Sequence, residues 1–321
     1  MRKTSIAVRN EGLTRPVLLD GIARTGKFLL GKIVSGFDGV EHFQYVSLLE
    51  IVPYLERLGC ISEDAAVSLL QINIDQSAYE MRIGRNLNLR YEDASSLYNS
   101  HDMNVYLQRS VSKLSEGIVE RMTNDGRYSP FITHETLPNI QIFFKAFPKL
   151  KVIHLIRHPV DLVHSWYVRG WGHRFSNDPL AFKTLVKGPN LSVPWYVFGW
   201  ETKYEEMSEM DRIIKSISTL TEMEEDAYKS LPEKQRDHIL VVSYENLVES
   251  TGNAIKRMAH FLERNPSDGM GVILAREKCP KEISSVQRQT KLDEIKEMSS
   301  ESGYRMMLDM VVRYERRMKE V

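Results

Sequence analysis

Gly21, Arg24, Gly26 and Lys27 fall within residues 16–32, PVLLDGIARTGKFLLGK, and together they can form an anion cradle. An apolar run, Val17-Leu18-Leu19, leads into a glycine-bearing turn, and Lys27-Phe28-Leu29-Leu30 leads out as the start of a helix. Backbone N–H groups of such a turn and the positive end of the helix dipole face one spot, which favours a phosphate. Gly21, four residues, Gly26 and Lys27 meet most of the nucleotide-binding pattern G-x-x-x-x-G-K-[ST]. The match stops at Phe28, where a hydroxyl would hold magnesium. A strand, turn and helix with glycines for close packing is the plainer alternative, since short motifs recur by chance. Arg24 argues against it, because a cation inside the turn has no packing role there.

A second strand-to-helix junction carries a matching set. Arg157 ends the run KVIHLIR, at the carboxyl end of a strand, where ligands bind in open α/β sheets. Pro159 opens a helix, and Asp161 and Ser165 follow four apart on one face of it. The guanidinium suits a bidentate hold on an oxyanion, and the hydroxyl adds a single donor. His134 follows the apolar run Phe131-Ile132-Thr133 and would emerge at the same rim as a base, with an ordinary pKa of about 6.5. Glu135 competes for that role, although a carboxylate needs desolvation to become basic enough. His154, His158, His164 and His173 crowd the second junction, but their spacing does not put three on one helix face, so no metal cluster is expected. Trp166, Tyr167, Trp171, Trp195, Tyr196 and Trp200 lie in or near a polar loop. They suit stacking on sugar rings or adenine, or packing under the next helix.

Elements must hold these residues in place. Residues 17–23 read as a first strand and 27–35 as a first helix. Residues 42–58 are apolar at helical spacing. Ser62 is a good N-cap for a helix to about residue 79. Residues 84–100 read as a loop or lid, and 105–124 as a helix. Strands are expected at 130–133, 151–157 and 239–244, and helices at 139–147, 195–231, 251–263 and 303–320. Residues 170–194 read as a long surface loop, and 269–296 give no clear pattern. Continuous apolar strands alternating with helices predict an α/β fold, a parallel central sheet flanked by helices on both faces. We expect one domain over 1–321, with a mostly helical insertion at about 40–125 and a variable C-terminal region at about 265–321.

The composition excludes several classes. Of 321 residues, 42% are hydrophobic and 27% charged, and 43 basic residues balance 43 acidic ones. Nothing in that balance calls for a nucleic-acid or membrane coat. Cys60 and Cys279 are the only cysteines. Alone and far apart, they suggest neither a metal site nor a disulfide, and fit a reducing compartment. No apolar run reaches the length of a membrane span. The basic start, MRKTSIAVRNEGLTRP, lacks the apolar core of a secretory signal. The expectation is a soluble cytoplasmic protein.

GIARTGKFLL together with FPKLKVIHLIRHPVDLVHSWY resembles the sulfotransferases that use 3′-phosphoadenosine 5′-phosphosulfate (PAPS). HILVVSYENLVES is similar to that family's late strand and its Y-E-x-L signature, and ITHETLP to the K-T-H-x-P segment that carries its catalytic histidine. The resemblance implies a P-loop-like sulfotransferase architecture. It implies that Gly21, Arg24, Thr25, Gly26, Lys27 and Phe28 bind the 5′-phosphosulfate, and Arg157 and Ser165 the 3′-phosphate. The sulfuryl group then passes in line to an acceptor hydroxyl, with His134 as base and Arg24 and Lys27 meeting its charge. The implied product is adenosine 3′,5′-bisphosphate (PAP), no metal is expected, and a saccharide or glycolipid acceptor is favoured on the loop aromatics. Lys27 stands where the family has a small hydroxyl residue, Ile132 where it has a lysine, and the C-terminal R-K-G-x-x-G motif is absent. Two other readings stay open. One is an ATP-dependent small-molecule kinase, suggested by Gly26-Lys27; the other is a non-catalytic nucleotide-binding protein, suggested by Lys27 and Ile132.

Overall fold

The computed structural model describes residues 6–10, 12–113, 117–176 and 178–319. Its strands in chain order are β1 (Arg15–Asp20), β2 (Gln44–Tyr45), β3 (Tyr128–Ile132), β4 (Lys151–Ile156), β5 (Leu185–Lys187), β6 (Ser192–Pro194) and β7 (Ile239–Ser243). Five of them form one sheet in the order β2-β3-β1-β4-β7, with every neighbouring pair parallel. The expected α/β fold with a parallel sheet is therefore observed. β1, β3 and β4 are buried on both faces, which is why they read as unbroken apolar runs. β1 lies at the centre and is followed in space by β3 on one side and β4 on the other. Leu19 is paired with both Ile132 and Ile153, so the three strands end at one rim. That register brings residue 21, His134 and Arg157 to the same edge, at a switch point of the kind where α/β sheets bind ligands.

The helices are α1 (Lys27–Val34), α2 (Leu48–Arg57), α3 (Glu63–Arg82), α4 (Met103–Val111), α5 (Ile118–Asn124), α6 (Ile140–Ala146), α7 (Pro159–Tyr167), α8 (Glu201–Glu206), α9 (Glu209–Ser230), α10 (Glu233–Arg236), α11 (Tyr244–Glu249), α12 (Thr251–Leu262), α13 (Met270–Glu277), α14 (Ser285–Met298) and α15 (Glu301–Met318). Alternate strand residues feed opposite faces of the sheet. Leu18, Phe131 and Val152 pack with Leu70 and Ile74 of α3 and Phe143 of α6. Val17, Leu19, Ile153 and Leu155 pack with Ile33 of α1 and Met258 of α12. A third apolar cluster joins α7, α9 and α15 around Trp166 and Trp195.

Several boundaries differ from the sequence expectation, each for a local reason. Ser62 caps α3 as expected, its Oγ accepting from the Ala65 N–H at 3.3 Å. The helix runs on to Arg82 because Met81 is buried and Arg82 pairs with Glu41. Residues 40–125 hold α2 to α5 but also the edge strand β2. The expected helix at 105–124 is two helices, with left-handed Gly117 at the N-cap of the second. The expected loop at 170–194 contains the β5–β6 hairpin. The run expected as one helix from 195 breaks before Ser208, which caps α9 by accepting from the Asp211 N–H at 3.2 Å. Residues 269–296, which gave no pattern, hold α13 and α14. The expected polar arm is pinned along α3 where described: Gln71 bonds Arg9, and Asp75 accepts from the Leu13 N–H. Residues 1–5 of that arm lie outside the described residues. No helix is long and apolar enough to cross a membrane among the described residues.

Candidate active site

The first loop is shaped by two glycines. Gly21 sits at φ 146°, and a Cβ there would lie 2.2 Å from the Leu155 carbonyl oxygen. Gly26 sits at φ 106°, with a Cβ position 2.6 Å from the Tyr244 ring. Arg24 adopts a left-handed φ of 77°, a cost that non-glycine residues meet chiefly at functional sites. As N-cap of α1, Gly26 offers no side chain to the helix. The first-turn N–H groups therefore lack the usual side-chain acceptor. Thr25 is buried and its hydroxyl donates to the Ile22 carbonyl at 2.9 Å.

Lys27 is placed differently from the expectation. Its ammonium is buried under the loop and donates to the carbonyls of Gly21 at 2.6 Å and Ile22 at 2.8 Å. Burial pushes this amine down to about 8, while Asp20 and Glu135 pull it back up. A cation that gathers the loop carbonyls inward organises the loop from within and does not present its charge to a donor outside it. Phe28 is partly buried and meets Phe43 edge-on, at 6.1 Å between ring centres.

The two strand-to-helix junctions converge. Arg24 Nε donates to Ser165 Oγ at 3.2 Å, and Arg157 Nη1 donates to the Arg24 carbonyl at 2.8 Å. The Arg157 guanidinium carbon lies 4.6 Å from the Tyr244 ring centre. Arg157 Nε is buried with no hydrogen-bond partner among the described residues, and an orphaned buried donor of that kind calls for an acceptor. Burial, and then the charges of Arg169 and Arg157, lower the Arg24 pKa. This donor-rich spot fits a ligand with more than one phosphate.

Asp161 does not join it. It accepts from Arg288 Nε at 2.9 Å and from Lys291 Nζ at 2.6 Å, so it anchors α14. Burial alone would raise its pKa, but Lys291 and Arg288 hold it below the ordinary value. The histidines of this region have separate structural partners. His158 Nδ1 accepts from the Val160 N–H, His164 pairs with Glu294, and His173 pairs with Glu209. The aromatic residues expected on the loop are mostly core. Trp166, Trp195 and Tyr196 are buried, and Tyr167, Trp171 and Trp200 pack against the same cluster.

The base side is assembled from distant segments. His134 Nδ1 lies 2.5 Å from Glu50 Oε1, and the Tyr54 hydroxyl donates to the His134 carbonyl at 2.5 Å. Glu50 and Tyr54 stand four apart on α2, both buried. Nε2 has no hydrogen-bond partner among the described residues, so it is the ring nitrogen left open on the rim. Glu135 is fully buried: Oε1 accepts from the Ala23 N–H at 3.2 Å and Oε2 pairs with Lys183. Burial would raise its pKa, yet Lys183 and His134 hold it below the ordinary value. It is thus a paired carboxylate. Asp20 fixes the turn that carries both residues, accepting from Thr133 Oγ1 at 2.9 Å and from the N–H groups of Thr136 at 3.1 Å and Leu137 at 3.0 Å.

Beneath the rim, His154 lies between two buried carboxylates. Nδ1 is 3.5 Å from Asp20 and Nε2 is 3.3 Å from Glu224. Because opposite edges of the ring face the two acids, the imidazole fills the space between them and the three read as a bridged charge triad. Burial lowers the His154 pKa, but Glu224 and Asp20 more than reverse this. Sequence reasoning missed Asp20, Glu50 and Lys183, while Tyr244 entered it only through the Y-E-x-L signature. A carboxylate at Glu50 within the apolar stripe of α2 was the one available signal.

The family model described as a sulfotransferase domain matches residues 14–319. Over 192 residues the chain is 23% identical to sulfotransferase 2A1 of Homo sapiens, covering 57% of this chain and 52% of that protein. The chain thus spans about half the length of this curated relative. Among solved structures, it is similar to the sulfotransferase domain of the Synechococcus PCC 7002 olefin synthase, at 13% identity and TM-score 0.46, covering 97% of this chain and 98% of that one. It is also similar to mouse sulfotransferase SULT7A1 complexed with PAP, at 11% identity and TM-score 0.34, covering 94% of this chain and 89% of that one. Since the family match runs through nearly the whole sequence, this chain belongs to the sulfotransferase domain family.

Proposed function

We propose that the chain moves a sulfuryl group from PAPS to an acceptor hydroxyl, with His134 as general base. The observation that carries this reading is the convergence of Arg24, Ser165 and Arg157, with its orphaned Nε, on the rim that also holds the His134–Glu50 pair. Loop residues 21–28 and Arg157 with Ser165 would hold the two phosphate ends of the donor. His134 Nε2 takes the acceptor proton as the acceptor oxygen bonds to sulfur in line. The sulfur–oxygen bond to the 5′-phosphate breaks, and its electron pair leaves with that phosphate, which is stable as an anion. Glu50 holds the imidazole by Nδ1 and stabilises the imidazolium that forms. Arg24 supplies positive charge where negative charge builds up. Phe28 brings no magnesium ligand to the loop, which suits sulfuryl better than phosphoryl transfer, and family membership sets the kinase reading aside.

The acceptor carries a hydroxyl. A saccharide or glycolipid gains no support from Trp166, Trp195 and Tyr196, because those rings are buried in the core. Saccharides, glycolipids, phenols and aliphatic alcohols therefore belong in one acceptor panel with labelled donor. Thermal shift tests the donor first: PAP without magnesium should raise the Tm. Stabilisation by ATP with magnesium and none by PAP would overturn the reading. PAP binding with no acceptor labelled would favour the non-catalytic alternative.

A further inference from the structure

β3 brings no cation to the rim, since Ile132 is apolar and fully buried. Lys27 spends its charge inside the loop. Glu135, meanwhile, places a buried carboxylate directly on the donor loop through the Ala23 N–H. An unbalanced negative charge there would repel an anionic donor. One ammonium balances it from outside both donor junctions: Lys183, in the 178–184 stretch before β5, pairs with Glu135 Oε2. That ammonium is largely buried, 5.9 Å from the Tyr54 ring centre and 5.6 Å from that of Tyr196. Tyr54 in turn holds the His134 carbonyl.

We propose that Lys183 is a positioning residue for the reaction: it neutralises Glu135 beneath the donor loop and so makes the loop able to accept a polyanionic donor. The proposal rests on the reading of that loop as the PAPS site. Glu135 is faced by Lys183, by His134, by Lys27 of α1, by Glu50 and Tyr54 of α2, by Tyr196 and by Tyr45. Of the cations among these, Lys183 alone is delivered by the chain after α7, and it makes the direct ion pair. Removing it leaves a buried carboxylate with reduced compensation, and such a group escapes its penalty by taking up a proton.

The experiment is a PAP titration by calorimetry on the full chain from pH 6 to 8.5. Lys183→Met should weaken PAP binding by about tenfold to a hundredfold at pH 8, and the loss should shrink as pH falls and Glu135 becomes neutral. Glu135→Gln combined with Lys183→Met should recover most of the affinity and lose that pH dependence. Lys183→Arg, which keeps the charge, should bind PAP within a few-fold of the parent chain. A purely structural role predicts instead a lowered Tm with no change in pH profile and no rescue by the double variant. If Lys183→Met binds PAP as tightly as the parent across the range, or the double variant is no better than the single, the proposal is wrong. If Lys183→Met does not fold, the double variant, which has no buried charge to strand, decides the same point by its PAP affinity. If the parent chain itself binds no PAP, it is the donor reading that fails.

Discussion

The donor half and the base half of this site are built in different ways. The donor half lies in two short junctions, β1 to α1 and β4 to α7, and each brings its own strand end, turn and helix start. In the proposed reading backbone N–H groups and residues within one turn would do the binding, so the geometry is local. The base half has no such economy. His134 finds Glu50 across 84 residues of sequence, and Tyr54 finds the His134 carbonyl across 80. Holding an anion needs only a strand, a turn and a few cations. Aiming one ring nitrogen needs partners from other layers of the fold. The two halves should therefore fail separately when they are mutated.

The sharpest break is expected at the base. His134→Ala should lower turnover by about a hundredfold to ten-thousandfold, the range for loss of a general base. PAP affinity should stay within about twofold, because no donor contact is removed. Glu50→Gln keeps a hydrogen-bond acceptor and loses the charge, so turnover should fall less, by about tenfold, with the pH profile displaced. Pre-steady-state labelling beside PAP calorimetry checks both variants. A fall in PAP affinity equal to the fall in turnover would mean that the two halves are one unit.

The donor half should break in binding. Arg157→Met removes a charged donor and should weaken PAP by about tenfold to a hundredfold. Turnover at saturating PAPS should change much less. Gly21→Ala should lose donor binding for a different reason. A methyl group meets the Leu155 carbonyl oxygen at 2.2 Å and must hold φ 146°, so the loop itself has to move. Its Tm should drop together with its PAP affinity, whereas Arg157→Met should melt close to the parent. Equal melting of the two variants would deny that Gly21 is a steric requirement.

The same division decides what could be read from the sequence. β1, β3 and β4 declared themselves as apolar runs because both their faces are covered. Arg157 and Ser165 were legible because strand end and helix face are set by local spacing. Glu50 was not, since a lone glutamate in an apolar stripe gains meaning only from a histidine on another strand. The direction of the Lys27 side chain was misjudged for a related reason: the Gly21 and Ile22 carbonyls beneath the loop attract it, and sequence does not show which way a turn points its carbonyls. The aromatic residues of the 166–200 region border a polar stretch and suit either ligand stacking or packing by sequence alone; it is α9 and α15 that cover them. α14 left no pattern since Ile295 is its one buried residue. Its place is fixed by Arg288 and Lys291 on Asp161 and not by an apolar face.

The smallest expected effect tests whether Lys27 belongs to the donor half from the inside. Its ammonium titrates at about 8 in the folded chain, below the ordinary 10.5. The unfolded chain therefore binds this proton more tightly, and this residue makes stability rise as pH climbs from about 8 towards 10.5. Donor affinity should run the other way. As the proton leaves, the charge that gathers the Gly21 and Ile22 carbonyls is lost and the loop relaxes. PAP affinity should fall about threefold between pH 7 and pH 9, a range in which phosphate groups, with a second pKa of about 6, have finished titrating. Lys27→Arg keeps its proton throughout and should flatten that slope, even though the larger head lowers the affinity itself. An unchanged slope in Lys27→Arg would assign the pH dependence to another group and return Lys27 to a packing role. A slope that vanishes would make a buried lysine, which never touches the donor, part of the donor half on the same footing as Arg24.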